Sequence, residues 1–198
     1  MIYLKYVFNN EYNGNIESLS KEMAYKYYNK NGLVIRRNDN GKPYFENDDN
    51  IFFNGSHSKD LICVAMSDNV IGIDAEFIKE RKFLDIASEY FSFKECKFLK
   101  SSKKLEIDFF TLWTLKEAYI KNLGKVIFDI KDSIEIDLDE RVIYNADNLF
   151  FATFILDDSY IISLWSNMKD NDIIINTDDF NLNMLFSYPV LPQIDVSI

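Results

Sequence analysis

Residues 2–8 alternate between apolar and polar positions and predict a strand. The period then lengthens. Ile16, Leu19, Met23 and Tyr27 recur at helical spacing, which predicts a helix over 16–30 closed by Asn31-Gly32. A short strand is expected at 33–37, followed by a turn at Asn38-Asp39-Asn40-Gly41. Apolar runs predict strands at 51–54, 61–66 and 70–76, and Ser67-Asp68-Asn69 joins the last two as a hairpin. Helices are expected at 83–91 and 92–101. The strongest helical pattern covers 104–123, with Leu105, Phe109, Leu112, Trp113 and Ile120 on one side and Gly124 at its end. Strands return at 133–138, 149–156 and 160–166, and 169–198 read as a final strand with a surface arm. This order predicts an α+β protein of two α/β halves, 1–102 and 103–198, although no sequence repeat is strong enough to prove duplication.

Composition supports a sizeable core. Of 198 residues 47% are hydrophobic and 16% aromatic, with 17 Phe and 12 Tyr. The two cysteines, Cys63 and Cys96, form no CxxC pair, so a reducing, cytoplasmic setting is expected. Met1–Val7 is too short in apolar content for a signal peptide, and no stretch approaches the ~20 apolar residues of a membrane span. A net charge of -10 argues against nucleic acid as a partner. The charge is uneven: residues 79–104 carry eight Lys or Arg against four Asp or Glu, whereas 129–198 carry three against fourteen. The basic stretch is either a solvated helix face or a surface for an acidic partner.

Several residues carry candidate chemistry. Asp74 and Glu76 are one residue apart on an expected strand, so both carboxylates face one side. Such a pair suits a divalent cation, or else forms a polar edge. Glu117 and Lys121 lie one helical turn apart, as a third ligand with a phosphate-binding cation or as an ordinary helix pair. His57 is the only imidazole and stands between Ser56 and Ser58, a setting that suits phosphate oxygens. Without a second histidine or a cysteine partner at suitable spacing, zinc is not expected. Gly41-Lys42-Pro43 presents a cation on a turn. Ser92-Phe93-Lys94-Glu95 fits a helix capping box, which competes with a role for Glu95 as a base. The chain contains no GxxxxGK[ST], GxGxxG or GxSxG pattern.

The order of these motifs says more than any one of them. Gly41-Lys42-Pro43, Phe53-Asn54-Gly55-Ser56-His57-Ser58, Ile71-Gly72-Ile73-Asp74-Ala75-Glu76 and Trp113-Thr114-Leu115-Lys116-Glu117-Ala118 with Lys121 closely resemble the 4′-phosphopantetheinyl transferases of the surfactin-synthetase-activating type. The resemblance covers roughly 41–125 and implies a pseudo-symmetric monomer of two α/β halves with coenzyme A in the cleft between them. It implies magnesium held by Asp74, Glu76 and Glu117. Lys42, Ser56 and His57 would contact the phosphates and nucleotide end of coenzyme A, and Lys121 the pyrophosphate. Lys116 would assist the departing phosphate, and Glu95 falls where the family carries a proposed base.

The implied reaction moves phosphopantetheine from coenzyme A to a serine of an acyl or peptidyl carrier protein and releases 3′,5′-ADP. The carriers of nonribosomal peptide, polyketide and fatty-acid assembly all remain open. Carriers present an acidic helix, which gives Lys94, Lys97 and Lys100 a purpose. Two departures from the pattern stand out. Val126 replaces a second glycine after Gly124-Lys125, and the N-terminal region lacks an arginine cluster, for which Lys26, Lys30, Arg36 or Arg37 would have to substitute. The alternatives are a non-catalytic relative that binds coenzyme A or a carrier, and an unrelated magnesium-dependent phosphohydrolase.

Overall fold

The computed structural model describes residues 1–123, 131, 134–144, 150–167, 175–176 and 182–188. The chain opens with strand β1 (Ile2–Phe8) and helix α1 (Ile16–Tyr28). A small hairpin, β2 (Ile35–Arg37) and β3 (Pro43–Phe45), leads to a long one, β4 (Phe52–Ser58) and β5 (Leu61–Ser67). The same succession then recurs. Strand β6 (Ile71–Phe77) is followed by two short helices, α2 (Phe83–Tyr90) and α3 (Phe93–Ser101), and by the long helix α4 (Leu105–Leu123). A small hairpin follows, β7 (Glu135–Asp137) and β8 (Val142–Tyr144), and then a long one, β9 (Phe150–Leu156) and β10 (Tyr160–Ser166). Strands β11 (Ile175–Asn176) and β12 (Leu182–Tyr188) complete the order.

Two four-stranded sheets result, β11-β1-β5-β4 and β12-β9-β10-β6. The segments β1-β5-β4 and β6-β10-β9 share one topology, so the fold is a pseudo-symmetric α+β arrangement. The topological repeat restarts at β6, ahead of the expected boundary at 102/103. A cut there would part α2 and α3 from the core they build with α4, where Ala87, Phe91 and Leu99 pack with Phe109, Leu112 and Leu115.

Alternation explains the layers. Odd positions of β5 (Leu61, Cys63, Ala65) and of β6 (Ile71, Ile73, Ala75) meet between the two sheets, together with Ile2, Leu4, Phe154 and Ile162. Even positions of β5 (Ile62, Val64, Met66) pack under α1 against Leu19 and Met23. With both faces covered, β5 and β10 are buried at every residue. Each fully buried Leu, Ile or Phe contributes ~1.5–3 kcal/mol relative to exposure. The expected hairpin between 61–66 and 70–76 does not form. Both strands turn their odd residues to the same core, so they face each other across it: β5 pairs with β4, and β6 with β10.

Local signals set the ends. Asn15 caps α1 by accepting from the Ser18 N–H at 2.9 Å. The helix stops at Asn29, which takes the left-handed conformation at φ 53°, three residues before the Gly32 of the expected stop. Ser92 and Glu95 form the expected capping box at the start of α3. Gly124 and Val126 lie outside the described residues, as does most of 169–198. None of the described helices is long and apolar enough to cross a membrane.

Candidate active site

Strand β6 supplies the centre of the site. Its odd residues enter the core between the sheets, so Gly72, Asp74 and Glu76 all face α4, as the alternation predicts. Gly72 lets the helix approach, because a Cβ there would collide with the Ala118 carbonyl oxygen. That proximity brings Lys121 to the strand: its Nζ donates to Asp74 Oδ1 at 2.6 Å and to Ser56 Oγ at 3.1 Å. Ser56 Oγ in turn donates to the same Asp74 oxygen at 2.9 Å, which closes a three-membered polar cluster.

Ser56 comes from β4, which runs beside β6 in the other sheet. Side chains stitch this seam. Asn54 Oδ1 accepts from the Ile73 N–H at 3.1 Å, and Ser58 Oγ accepts from the Phe77 N–H at 2.9 Å and donates to Glu76 at 3.2 Å. Arg81 lies 3.9 Å from the same Glu76 oxygen. β4 therefore extends to Ser58 and not to the expected residue 54, and His57 lies within the strand. Neighbouring strand residues point to opposite faces, so His57 turns away from Ser56 and is exposed. It lines a groove of about 330 Å³ with Arg37, Asn9 and Asn15. Arg37 also borders a groove of about 200 Å³ with Lys42, Gly55 and Lys121. Of the four basic residues offered as substitutes for an arginine cluster, Arg37 is the one that reaches both grooves. Lys30 is paired with Asp48 at 2.6 Å, Arg36 with Glu46 at 3.1 Å and Arg37 with Glu17 at 3.1 Å, so it is the position of Arg37, and not freedom from a partner, that sets it apart.

Lys42 bridges the halves in another way. Its Nζ donates to the Asn122 carbonyl oxygen at 2.8 Å and to Asn122 Oδ1 at 3.2 Å, at the last turn of α4. Burial lowers its pKa to about 8. It also walls a cavity of about 500 Å³ lined by Tyr44, Phe45 and Phe53.

The carboxylates perturb one another. Burial first, and then the Asp74 charge, push Glu117 up to about 7. The same two causes raise Glu76. Burial lowers the Lys121 ammonium, but the Asp74 charge and hydrogen bond outweigh it and the net shift is upward. Asp74 Oδ2 is buried with no hydrogen-bond partner among the described residues. Among the described residues no group of three or more His, Cys, Asp or Glu is drawn tightly enough to hold a metal ion. By its chemistry the donor set suits a hard divalent cation: three carboxylates face one seam, and burial and the Asp74 charge raise two of them, Glu76 and Glu117, a strain that such an ion relieves.

Two expected site residues are elsewhere. Glu95 and Lys116 are both fully enclosed, with Glu95 Oε2 3.2 Å from Lys116 Nζ. Glu95 also accepts from the Ser92 N–H at 2.8 Å and from the Ile136 N–H at 2.9 Å, and Lys116 donates to the Ile134 carbonyl at 2.6 Å. Residues one apart on a helix diverge by ~100°. Lys116 therefore enters the α3–β7 layer while Glu117 faces β6. Neither Glu95 as a base nor Lys116 as a phosphate ligand fits this placement. The reading from sequence alone missed Asn54, Ser58 and Asn122. The alternation of Asn54, Ser56 and Ser58 was the available signal for a polar strand face.

The profile of the 4′-phosphopantetheinyl transferase superfamily matches residues 70–172, from β6 past β10. Among relatives, the 4′-phosphopantetheinyl transferase gsp of Aneurinibacillus migulanus is 38% identical over 116 residues, covering 57% of this chain and 48% of that protein. The 4′-phosphopantetheinyl transferase psf-1 of Bacillus pumilus is 40% identical over 97 residues, covering 48% and 41%. The 4′-phosphopantetheinyl transferase Sfp of Bacillus subtilis is 33% identical over 111 residues, covering 55% and 49%. The chain belongs to the 4′-phosphopantetheinyl transferase superfamily. The matches with these relatives extend over about half of their length.

Proposed function

We propose that the protein transfers 4′-phosphopantetheine from coenzyme A to a serine of an acyl or peptidyl carrier protein. The observation that carries this reading is the junction of two unlike walls at the β4–β6 seam. One supplies hydroxyl and cationic groups (Ser56, Lys42, Arg37), and the other supplies carboxylates with Lys121. Such a surface suits a polyphosphate whose charge is to be balanced and moved.

Arg37 and His57 form the anion-binding end, for the nucleotide phosphate. Lys42 and Lys121 flank the intervening groove, for the pyrophosphate. Asp74, Glu76 and Glu117 would hold magnesium, which when bound neutralises phosphate charge and favours in-line displacement. Lys121 is already pinned to Asp74 at 2.6 Å, so its charge is in place for the negative charge that grows on the leaving 3′,5′-ADP. With Glu95 withdrawn, Glu117 is the α4 carboxylate left facing the seam, and the serine proton would pass to it or to a water that it orients. On α3, Phe93, Lys97 and Lys100 share one exposed stripe at i, i+4 and i+7, with Phe93 84% exposed. This stripe is the proposed docking face for the carrier's acidic helix.

Intact-protein mass spectrometry of an apo carrier incubated with this protein, coenzyme A and magnesium tests the reading. A gain of one phosphopantetheine that EDTA abolishes is the expected result. No gain across peptide, polyketide and fatty-acid carriers, with coenzyme A still bound, would turn the reading toward a non-catalytic binder.

A further inference from the structure

The enclosed pair Glu95–Lys116 has no role in the chemistry proposed above, yet among the described residues it is tied to the backbone at three points. Ser92 N–H and Ile136 N–H donate to Glu95, and Ile134 carbonyl accepts from Lys116. These contacts join the start of α3, the entry to β7 and the middle of α4. The pair sits beside Phe91, with Lys116 Nζ 5.9 Å from the ring centroid, in a layer that also buries Leu99, Phe109 and Ile136. An ion pair so enclosed is weak evidence of stabilisation, because removing two charges from water costs about what their attraction returns. What it does confer is direction, since a buried charge is compensated only while its partners stay in place.

We infer that Glu95 and Lys116 are positioning residues that fix the rotation of α4 about its axis and thereby aim Glu117 and Lys121 at β6. The inference rests on the transferase reading of that site. α4 is held on its sheet side by Ala118 against Gly72 and by Thr114 Oγ1, 2.6 Å from Ser163 Oγ. Phe109, Leu112 and Leu115 and the Lys121–Asp74 bond hold the helix as well, but apolar contacts are non-directional, and the enclosed charge pair adds a fixed direction. Lys116 lies on the far side, ~160° around the helix from Ala118, where a fixed charge opposes rolling best. The Glu117 carboxylate stands ~6 Å from the helix axis, so a roll of ~10° displaces it by ~1 Å. A displacement of that size is enough to cost ~10²-fold in rate at a reacting centre.

The test compares Glu95→Gln, Lys116→Met and the double variant E95Q/K116M. Each single change strands one buried charge or its backbone partners. The double change removes both charges together, and a glutamine at 95 can still accept from the Ile136 N–H. Two quantities are read: the transfer rate at saturating coenzyme A and carrier, and Mn²⁺ affinity by electron paramagnetic resonance with coenzyme A present. The singles are expected to lose ~10²-fold in rate and to bind Mn²⁺ at least tenfold more weakly, and the double to recover at least tenfold over either single in both. A double variant that is folded by circular dichroism but as inactive as Glu95→Gln, with Mn²⁺ affinity equal to wild type throughout, would overturn the inference and restore Glu95 as a base. If the singles fail to fold, the double decides alone: a rate within tenfold of wild type supports positioning, and a folded, Mn²⁺-binding, inactive protein overturns it. Failure of the transferase reading looks different. The wild-type protein would then modify no carrier, while the Mn²⁺ affinities would still rise or fall with the pair. A wild type that neither transfers nor binds Mn²⁺ leaves no aimed site and overturns the inference as well.

Discussion

Gly72→Ala isolates the approach of α4 to β6. The added methyl would sit well inside van der Waals distance of the Ala118 carbonyl oxygen and 3.0 Å from Asn122 Cβ. The first obstacle is helix backbone, which cannot rotate aside, so the helix itself has to move by ~1 Å. Overpacking of this kind costs ~1–3 kcal/mol. For a chain of this size each kcal/mol lowers Tm by ~2–4 °C. The catalytic cost is larger in proportion. Glu117 and Lys121 ride on the displaced helix while Asp74, Glu76 and Ser56 stay with the strands, and ~1 Å between them is expected to cost ~10²-fold in transfer.

Two assays separate the effects: thermal unfolding, and transfer to an apo carrier measured at 20 degrees or more below each Tm. Ile162→Val serves as the comparison. It trims the core between the sheets, costs ~0.5–1.5 kcal/mol and leaves the contact of α4 with β6 intact. The expectation is a fall in Tm for both variants and a fall in rate for Gly72→Ala alone. An unchanged rate in Gly72→Ala, or an equal loss in Ile162→Val, would refute the claim that the glycine serves the site.

Two further outcomes are expected. Glu117 sits at about 7 in the fold against its ordinary 4.5, so the stability it contributes is complete below about 4.5 and is lost as pH rises through 7. The raised Glu76 acts in the same sense. After discounting for partial exposure this amounts to ~1–2 kcal/mol. The urea midpoint of the metal-free protein should therefore drop between pH 5 and pH 7.5, and Mg²⁺ should raise it more at pH 7.5 than at pH 5.5. A midpoint flat with pH, or equal Mg²⁺ stabilisation at both, would contradict the shift. On α3, Lys94 is already engaged by Glu135 at 2.7 Å, so reversing the charges of the exposed Lys97 and Lys100 is expected to raise KM for the carrier ~10-fold and to leave KM for coenzyme A unchanged. Equal KM values for the carrier would mark that stripe as a solvated face.

What the sequence disclosed follows a physical line. Alternation placed Asp74 and Glu76 on one face because Ile73 and Ala75 have to enter the core, and helical spacing placed Lys121 one turn from Glu117. The sequence pattern ends this strand at residue 54, because Asn54-Gly55-Ser56-His57-Ser58 has no apolar alternation. The strand is held by its ladder to β5 and by side-chain bonds to β6, neither of which a local pattern reveals. Pairing of β5 with β6 was the natural reading of a short connection, and no local signal shows that the chain changes sheets there. The motif also grouped residues that geometry separates. Ser56 and His57 are neighbours in sequence but face opposite sides of a strand. Lys116 and Glu117 are neighbours on a helix, and only the second reaches β6.

The seam between β4 and β6 explains why this site needs both halves of the fold. The strands belong to different sheets and are joined by Asn54, Ser56 and Ser58 instead of a backbone ladder. Polar side chains in such a place are costly unless satisfied. Each of the three has a partner on β6, and beside them Asp74 Oδ2, a carboxylate oxygen, has none among the described residues. The unmet demand is therefore for positive charge, at the point where Lys121 already neutralises the other oxygen. All three carboxylates lie within residues 70–172, the span the family profile matches, whereas Arg37, Lys42, Ser56 and His57 lie before it. On the proposed reading the second half holds the reacting phosphates and the first half grips the nucleotide end. Substitutions at Arg37 or His57 should then act on coenzyme A binding, and substitutions at Asp74 or Glu117 on the transfer step, because the two groups of side chains stand on opposite sides of one seam.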